Sequence, residues 1–73
     1  MRRTIKFDTT GESQVFLTLT GERAFFRRNR DGLIHLAREA DGLPIGGDFG
    51  NVYREFADDA TANEYAVAQL ITI

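Results

Sequence analysis

The sequence predicts an α+β fold: a small antiparallel sheet of about four strands, built from a three-stranded N-terminal meander and a C-terminal strand, with one or two short helices on one face. Three observations carry this expectation. Short runs in the first thirty residues alternate polar and apolar positions and are broken by glycine-containing turns, the period of half-buried strands. Apolar residues in the middle of the chain recur three and four apart, the period of a helix face. The last ten residues are rich in β-branched side chains, which favour strands.

Thr4-Ile5-Lys6-Phe7 alternates and reads as the first strand, with Thr9 to Ser13 as a loop. Gln14 to Thr20 alternates again. Val15, Leu17 and Leu19 fall on one side, and Gln14, Phe16, Thr18 and Thr20 on the other. Thr20-Gly21-Glu22 is a tight turn, and Arg23 to Arg28 returns as an aromatic-rich third strand. Over 31–42 two readings compete. As a helix, Leu33, Leu36, Ala37 and Ala40 share a face, Asp31 caps the start, and Gly42 ahead of Leu43-Pro44 stops it. As a strand, Asn29 to Gly32 is a hairpin turn and Ile34/Leu36 the buried pair. The run of Ala37, Glu39 and Ala40 selects the helix.

Leu43 to Gly47 reads as a loop. Phe49, Val52, Tyr53 and Phe56 fit a helix after an Asp48 cap, and Val52 to Phe56 fits a strand equally well. Asp58 to Asn63 reads as a polar connection. Glu64 to Ile73 reads as the final strand, its rival being a helix opened by the Thr61/Glu64 capping-box spacing.

At 73 residues the chain is expected to form a single compact domain, 1–73, that buries only about 60% of its unfolded surface. It has no cysteine and one histidine, so disulfides, thiolate metal sites and a His-paired zinc within one chain are excluded and no cofactor is expected. The cysteine-free composition fits a reducing, cytoplasmic setting. No apolar run approaches the ~20 residues of a membrane span, and Arg2-Arg3 is not followed by the apolar stretch of a secretory signal. Starting at Met1 without a tag, the chain reads as a complete small gene product.

The charge is distributed unevenly. Residues 1–30 hold seven of the nine cations against three acids, and residues 31–73 hold two cations against eight acids. A basic front half and an acidic back half can steer partners of either sign. The sharpest local signal is Arg23 to Arg30, where Phe25 and Phe26 are interleaved with Arg23, Arg27, Arg28 and Arg30. If Phe26 joins Val15, Leu17, Leu19, Ile5 and Phe7 inside, the opposite face shows Phe16, Phe25, Lys6, Arg23 and Arg27. Aromatics among cations are what single-stranded nucleic acid stacks on. The plainer reading is that a helix or a second subunit covers this face while the arginines pair with the acidic half. A sequence pI near 5.2 argues against a dedicated nucleic-acid binder.

Other constellations are weaker. Gly46-Gly47-Asp48-Phe49-Gly50 lacks the lysine and hydroxyl residue of a phosphate loop and reads as a flexible connection presenting Phe49. On the helical reading, Asp31 and Glu39 flank His35, a solvated arrangement rather than a metal site. Glu55, Asp58 and Asp59 lack the spaced oxygens and glycine of a calcium loop. No nucleophile and base accompany these acids, so an enzyme is not expected; a metal-free hydrolase built on His35 and the acids is the weakest option.

The leading expectation is a small non-enzymatic protein-binding module, in the manner of a phage-encoded or accessory inhibitor or regulator. Its partner-binding residues are expected to be Phe16, Arg23, Phe25, Arg27, Arg28, Arg30 and Phe49. The alternative is a nucleic-acid-binding module using the basic aromatic sheet face. Large apolar groups on both sheet faces and the Leu70-Ile71-Thr72-Ile73 ending lead to a further expectation. It is a homodimer that buries the C-terminal strand or the Phe16/Phe25 face.

Overall fold

The computed structural model describes residues 5–45 and 54–72. Its elements are β1 (Glu12–Thr18), β2 (Arg23–Arg28), β3 (Ile34–Arg38), β4 (Glu55–Phe56), α1 (Asp59–Gln69) and β5 (Leu70–Thr72). The strands form one sheet in the order β4-β3-β2-β1-β5, and every neighbouring pair is antiparallel. The α+β architecture, with a meander and a C-terminal strand, is as the sequence predicts; several of its parts are not where the pattern placed them.

The meander is β1-β2-β3, and Ile5 to Phe7 do not form one of its strands. Thr4 lies outside the described residues, and Phe7 contributes one isolated bridge, to Ser13. Side chains take the place of a ladder here: Lys6 N–H donates to Gln14 Oε1 at 3.0 Å, and Ile5 N–H donates to Asn63 Oδ1 at 2.9 Å. The second contact ties the N-terminal segment to the helix.

The helix expected over 33–40 is strand β3. Asn29 N–H donates to the Leu33 carbonyl and Gly32 N–H to the Asn29 carbonyl, so a tight turn reverses the chain. Gly32 has φ 88°, a left-handed conformation that glycine adopts without steric cost. Five consecutive pairs then join β3 to β2, from Ala24↔Arg38 to Arg28↔Ile34. Ile34, His35, Leu36 and Ala37 are all buried, so β3 is covered on both faces and lacks the alternation that marks a half-exposed strand. Pairing has overridden the helix propensity of Ala37, Glu39 and Ala40.

After a turn closed by Gly42 N–H to the Arg38 carbonyl, Pro44 bridges Ala37. Farther along β3, Glu55 and Phe56 pair with His35 and Ile34. The strand alternative for 52–56 therefore holds at Glu55–Phe56. Gly46 to Tyr53, including Phe49 and the Asp48-Phe49-Gly50 triplet, lie outside the described residues.

The final strand expected over 64–73 is helix for most of its length. Asp58 adopts extended backbone, and its carboxylate accepts from Thr61 N–H at 2.9 Å and from Thr61 Oγ1 at 2.8 Å. This is an N-cap that satisfies an otherwise orphaned donor. The polar connection expected at 58–63 is thus the cap and first turn of α1. The alanines supply high helix propensity, and Ala62 and Ala66, wholly buried, let the helix sit close to the sheet. Leu70 N–H bonds the Ala66 carbonyl, and the chain turns extended at that residue, so α1 runs directly into β5. Among the described residues, Leu70–Thr72 keeps the expected strand, pairing with β1 from Phe16↔Thr72 to Thr18↔Leu70.

Between α1 and the sheet, three phenylalanines stack edge to face. Phe16 and Phe26 lie 5.7 Å apart at 80°, and Phe26 and Phe56 5.9 Å apart at 69°, a favoured geometry for ring quadrupoles. Ile5, Ala24, Ile34, Leu36 and Leu70 complete the core with Ala62 and Ala66.

Candidate functional site

The face of the sheet away from α1 carries the basic aromatic strand, but not as the sequence suggested. β1 shifts register by one residue against β2 between Glu12 and Val15, the mark of a β-bulge. Ser13 Oγ accepts from Phe26 N–H there, at 2.8 Å. Past the bulge, Val15 pairs with Phe25 and Phe16 with Ala24. Phe16 therefore enters the core, 1% exposed, on the face opposite Phe25, and Val15 and Leu17 take the outer face. Alternation reveals that a strand has two faces; only the position of the helix decides which is the core.

On the outer face three cross-strand rows follow from the pairing. The first is polar, with Glu12, Arg27, His35 and Glu55 in successive register. The second is apolar: Val15, Phe25, Ala37 and Pro44. The third joins Leu17 to Arg23, with Glu39 alongside. The arginines are bound within the chain. Arg27 Nη2 donates to Glu12 Oε2 at 2.9 Å and Nη1 to the Gly42 carbonyl at 3.3 Å, while the guanidinium lies 5.2 Å from the centre of the Phe25 ring. Phe25 is consequently only 9% exposed. Arg23 grips Glu39 with two bonds, at 2.6 and 3.3 Å, and the side-chain bond from Arg23 holds the Glu39 carboxyl below its usual range.

Arg28 points to the other face, where it pairs with Asp59 of α1 and covers Phe7 at 4.5 Å. Arg38 pairs with Asp41 at 3.3 Å. Arg30 is exposed in the β2–β3 turn and makes no ion pair among the described residues. The expected site residues thus separate: Arg23, Phe25 and Arg27 share the outer face, Phe16 and Arg28 do not, and Arg30 lies in the turn.

His35 does not sit on a helix between Asp31 and Glu39. It is 4% exposed, with Arg27 on one side and Glu55 on the other. Burial lowers its pKa, Arg27 lowers it further, and Glu55 opposes both. The acidic cluster of Glu55, Asp58 and Asp59 is divided among three tasks: facing His35, capping α1 and pairing with Arg28. Among the described residues, no group of three or more His, Cys, Asp or Glu side chains is placed to hold a metal.

A concave feature lies at the end of the sheet where the β1–β2 turn meets the C-terminal end of α1. It is an open cleft of about 220 Å³, lined by Leu36, Ile45, Leu70, Tyr65 and Gln69 together with Thr18, Leu19, Thr20 and Glu22. Tyr65 and Gln69 are four residues apart and share one side of α1. Leu19 at this edge is 66% exposed, and Leu43, in the neighbouring turn after β3, is 51% exposed. The sequence reading missed this site because it required α1, which alone brings Tyr65, Gln69 and Leu70 to the β1–β2 turn. The Thr61/Glu64 spacing and the alanine run were the signals that a helix stood there.

Among the described residues, the outer sheet face and the cleft offer surfaces for binding. No family model, curated protein or solved structure matches the chain. Among the described residues no helix is long and apolar enough to cross a membrane.

Proposed function

We propose that this chain is a small non-enzymatic module that binds another protein, acting as an accessory inhibitor or regulator. One observation carries the reading. Of the four arginines expected to meet phosphates, three are taken up by the chain's own acceptors, Arg23 by Glu39, Arg27 by Glu12 and Gly42, and Arg28 by Asp59, and Arg30 in the β2–β3 turn is the exception. Nucleic-acid affinity comes largely from unpaired cations that displace counterions, and stacking needs an accessible ring; here Arg27 lies over Phe25. Exposed apolar side chains beside a cleft support a protein partner instead.

Of the two self-association contacts expected, the combined Phe16/Phe25 face is withdrawn, because those residues lie on opposite faces. The β5 edge remains in the proposal. It pairs with β1 on one side and, among the described residues, with no strand on the other, and open strand edges recruit further strands.

The test is capture from lysate of the source cell on immobilised protein, with and without nuclease. A protein retained equally in both is expected. Recovery of nucleic acid alone, or of proteins lost on nuclease treatment, overturns the reading.

A further inference from the structure

The cleft at the turn end of the sheet has a size and a lining that narrow what it can take. Its roughly 220 Å³ falls below the ~300–1,000 Å³ of sites that enclose a whole small-molecule ligand, and suits one large side chain. Its apolar lining is fixed in place: Leu36 and Leu70 are nearly fully buried members of the core, and Ile45 is held by its N–H bond to the Leu36 carbonyl at 2.9 Å. Glu22 also lines the cleft. Its backbone is bonded to Thr18, yet among the described residues no cation pairs with its carboxylate, whereas Glu12, Glu39, Asp41 and Asp59 each have an arginine.

We infer that this cleft anchors one apolar side chain of a partner protein, presented next to a lysine or arginine that Glu22 meets. The inference deepens the protein-binding reading and rests on it. A buried anchor in a preformed pocket is where interface energy concentrates, and a rim charge adds selectivity and speeds encounter. Leu19, itself part of the lining and largely exposed, extends the apolar surface at the mouth. The free carboxylate disfavours a phosphate-bearing ligand. Among the described residues, the exposed large apolar side chains Leu19, Leu43 and Val67 have no lysine or arginine within two positions, which disfavours each of them as an anchor offered by a second copy of this chain.

The test is a ¹⁵N NMR titration of the full chain with three probes: N-acetyl-Leu-Arg-amide, N-acetyl-Leu-Glu-amide and N-acetyl-Gly-Arg-amide. The Leu-Arg probe is expected to give saturable shifts at Thr18, Leu19, Glu22, Ile45 and Gln69, with Kd of roughly 1–10 mM. Leu-Glu is expected to bind about 2–5-fold more weakly, the scale of one exposed ion pair, and Gly-Arg not to saturate. Glu22→Gln should remove the preference for Leu-Arg, and Ile45→Trp should abolish binding by filling the cleft. Gln69→Trp, at an exposed helix position, serves the same purpose if Ile45→Trp does not fold. Shifts elsewhere, no saturation, or equal affinity for Leu-Arg and Leu-Glu overturns the inference. So does self-association that Ile45→Trp or Gln69→Trp abolishes, which would make the occupant a second copy. The peptides report on the cleft alone: a captured protein whose retention is unchanged by the tryptophan variants overturns the cleft and leaves protein binding standing, whereas failed capture removes the reading itself.

Discussion

Arg27 stands directly across the β2–β3 pair from His35, while its guanidinium bonds Glu12 on β1. A buried imidazole beside a fixed positive charge is held in its neutral form, and Glu55 on the far side offsets this only in part. His35 therefore joins the polar row as its uncharged member, between Arg27 and Glu55.

Its consequence is a pH dependence of stability. His35 has a lowered pKa in the folded chain, so its contribution is fully present above the ordinary imidazole value of about 6.5. As pH falls from there toward the lower folded value, the unfolded chain binds the proton first and stability is lost. The urea midpoint should decline between pH 7.5 and pH 5. In His35→Leu that decline should largely disappear, whatever the absolute stability of the variant. An equal slope in both proteins would place the dependence elsewhere.

Phe26 is the hinge of the core, in edge contact with both Phe16 and Phe56 and wholly buried. Phe26→Ala should cost about 3–5 kcal/mol. A domain of this size has only several kcal/mol in total, so the variant is expected to be largely unfolded at 37 °C by circular dichroism. Phe25→Ala removes a ring from the outer face and should be better tolerated. The reverse order would mean that the helix-covered face is not the principal core.

Gly11 has φ 84°, and a Cβ built there would meet the Arg28 carbonyl at 3.2 Å. That carbonyl belongs to the residue whose N–H bonds Gly11 itself, at 2.8 Å. Gly11→Ala combines a left-handed conformation, which costs roughly 1–2 kcal/mol for a residue with a Cβ, with a close approach at the start of β1. The urea midpoint should fall accordingly, and a neutral result would show that the β1–β2 pairing does not depend on this turn.

Fluorescence anisotropy with single-stranded oligonucleotides should show no binding at physiological salt. Arg23, Arg27 and Arg28 are each paired with a carboxylate, and freeing one for a phosphate would sacrifice its internal partner. Micromolar affinity that weakens steeply with salt would show that these pairs open for a ligand.

How far the sequence reaches is clear from particular residues. Arg23 to Arg28 is legible as a strand because its neighbours Gly21 and Asn29 punctuate it and its residues suit a sheet. The pairing of the basic half with the acidic half was readable as one of two options, and Arg23–Glu39 and Arg28–Asp59 realise it. Ile34 to Ala37 resisted reading because burial on both faces erases alternation. Phe16 was misplaced because a one-residue bulge and the seat of α1, both tertiary facts, set which face is inside. The cleft was out of reach for the same reason: Leu36, Tyr65 and Leu70 meet only when β3, α1 and β5 are assembled.

The claim that this is a protein-binding module is tested most directly by native mass spectrometry of the tagged chain isolated from its source cell after nuclease treatment. The expected spectrum contains a species heavier than the chain, or a dimer of it, by the mass of another polypeptide at fixed stoichiometry. A spectrum accounted for by copies of this chain alone, or by the chain with bound nucleic acid, would contradict it.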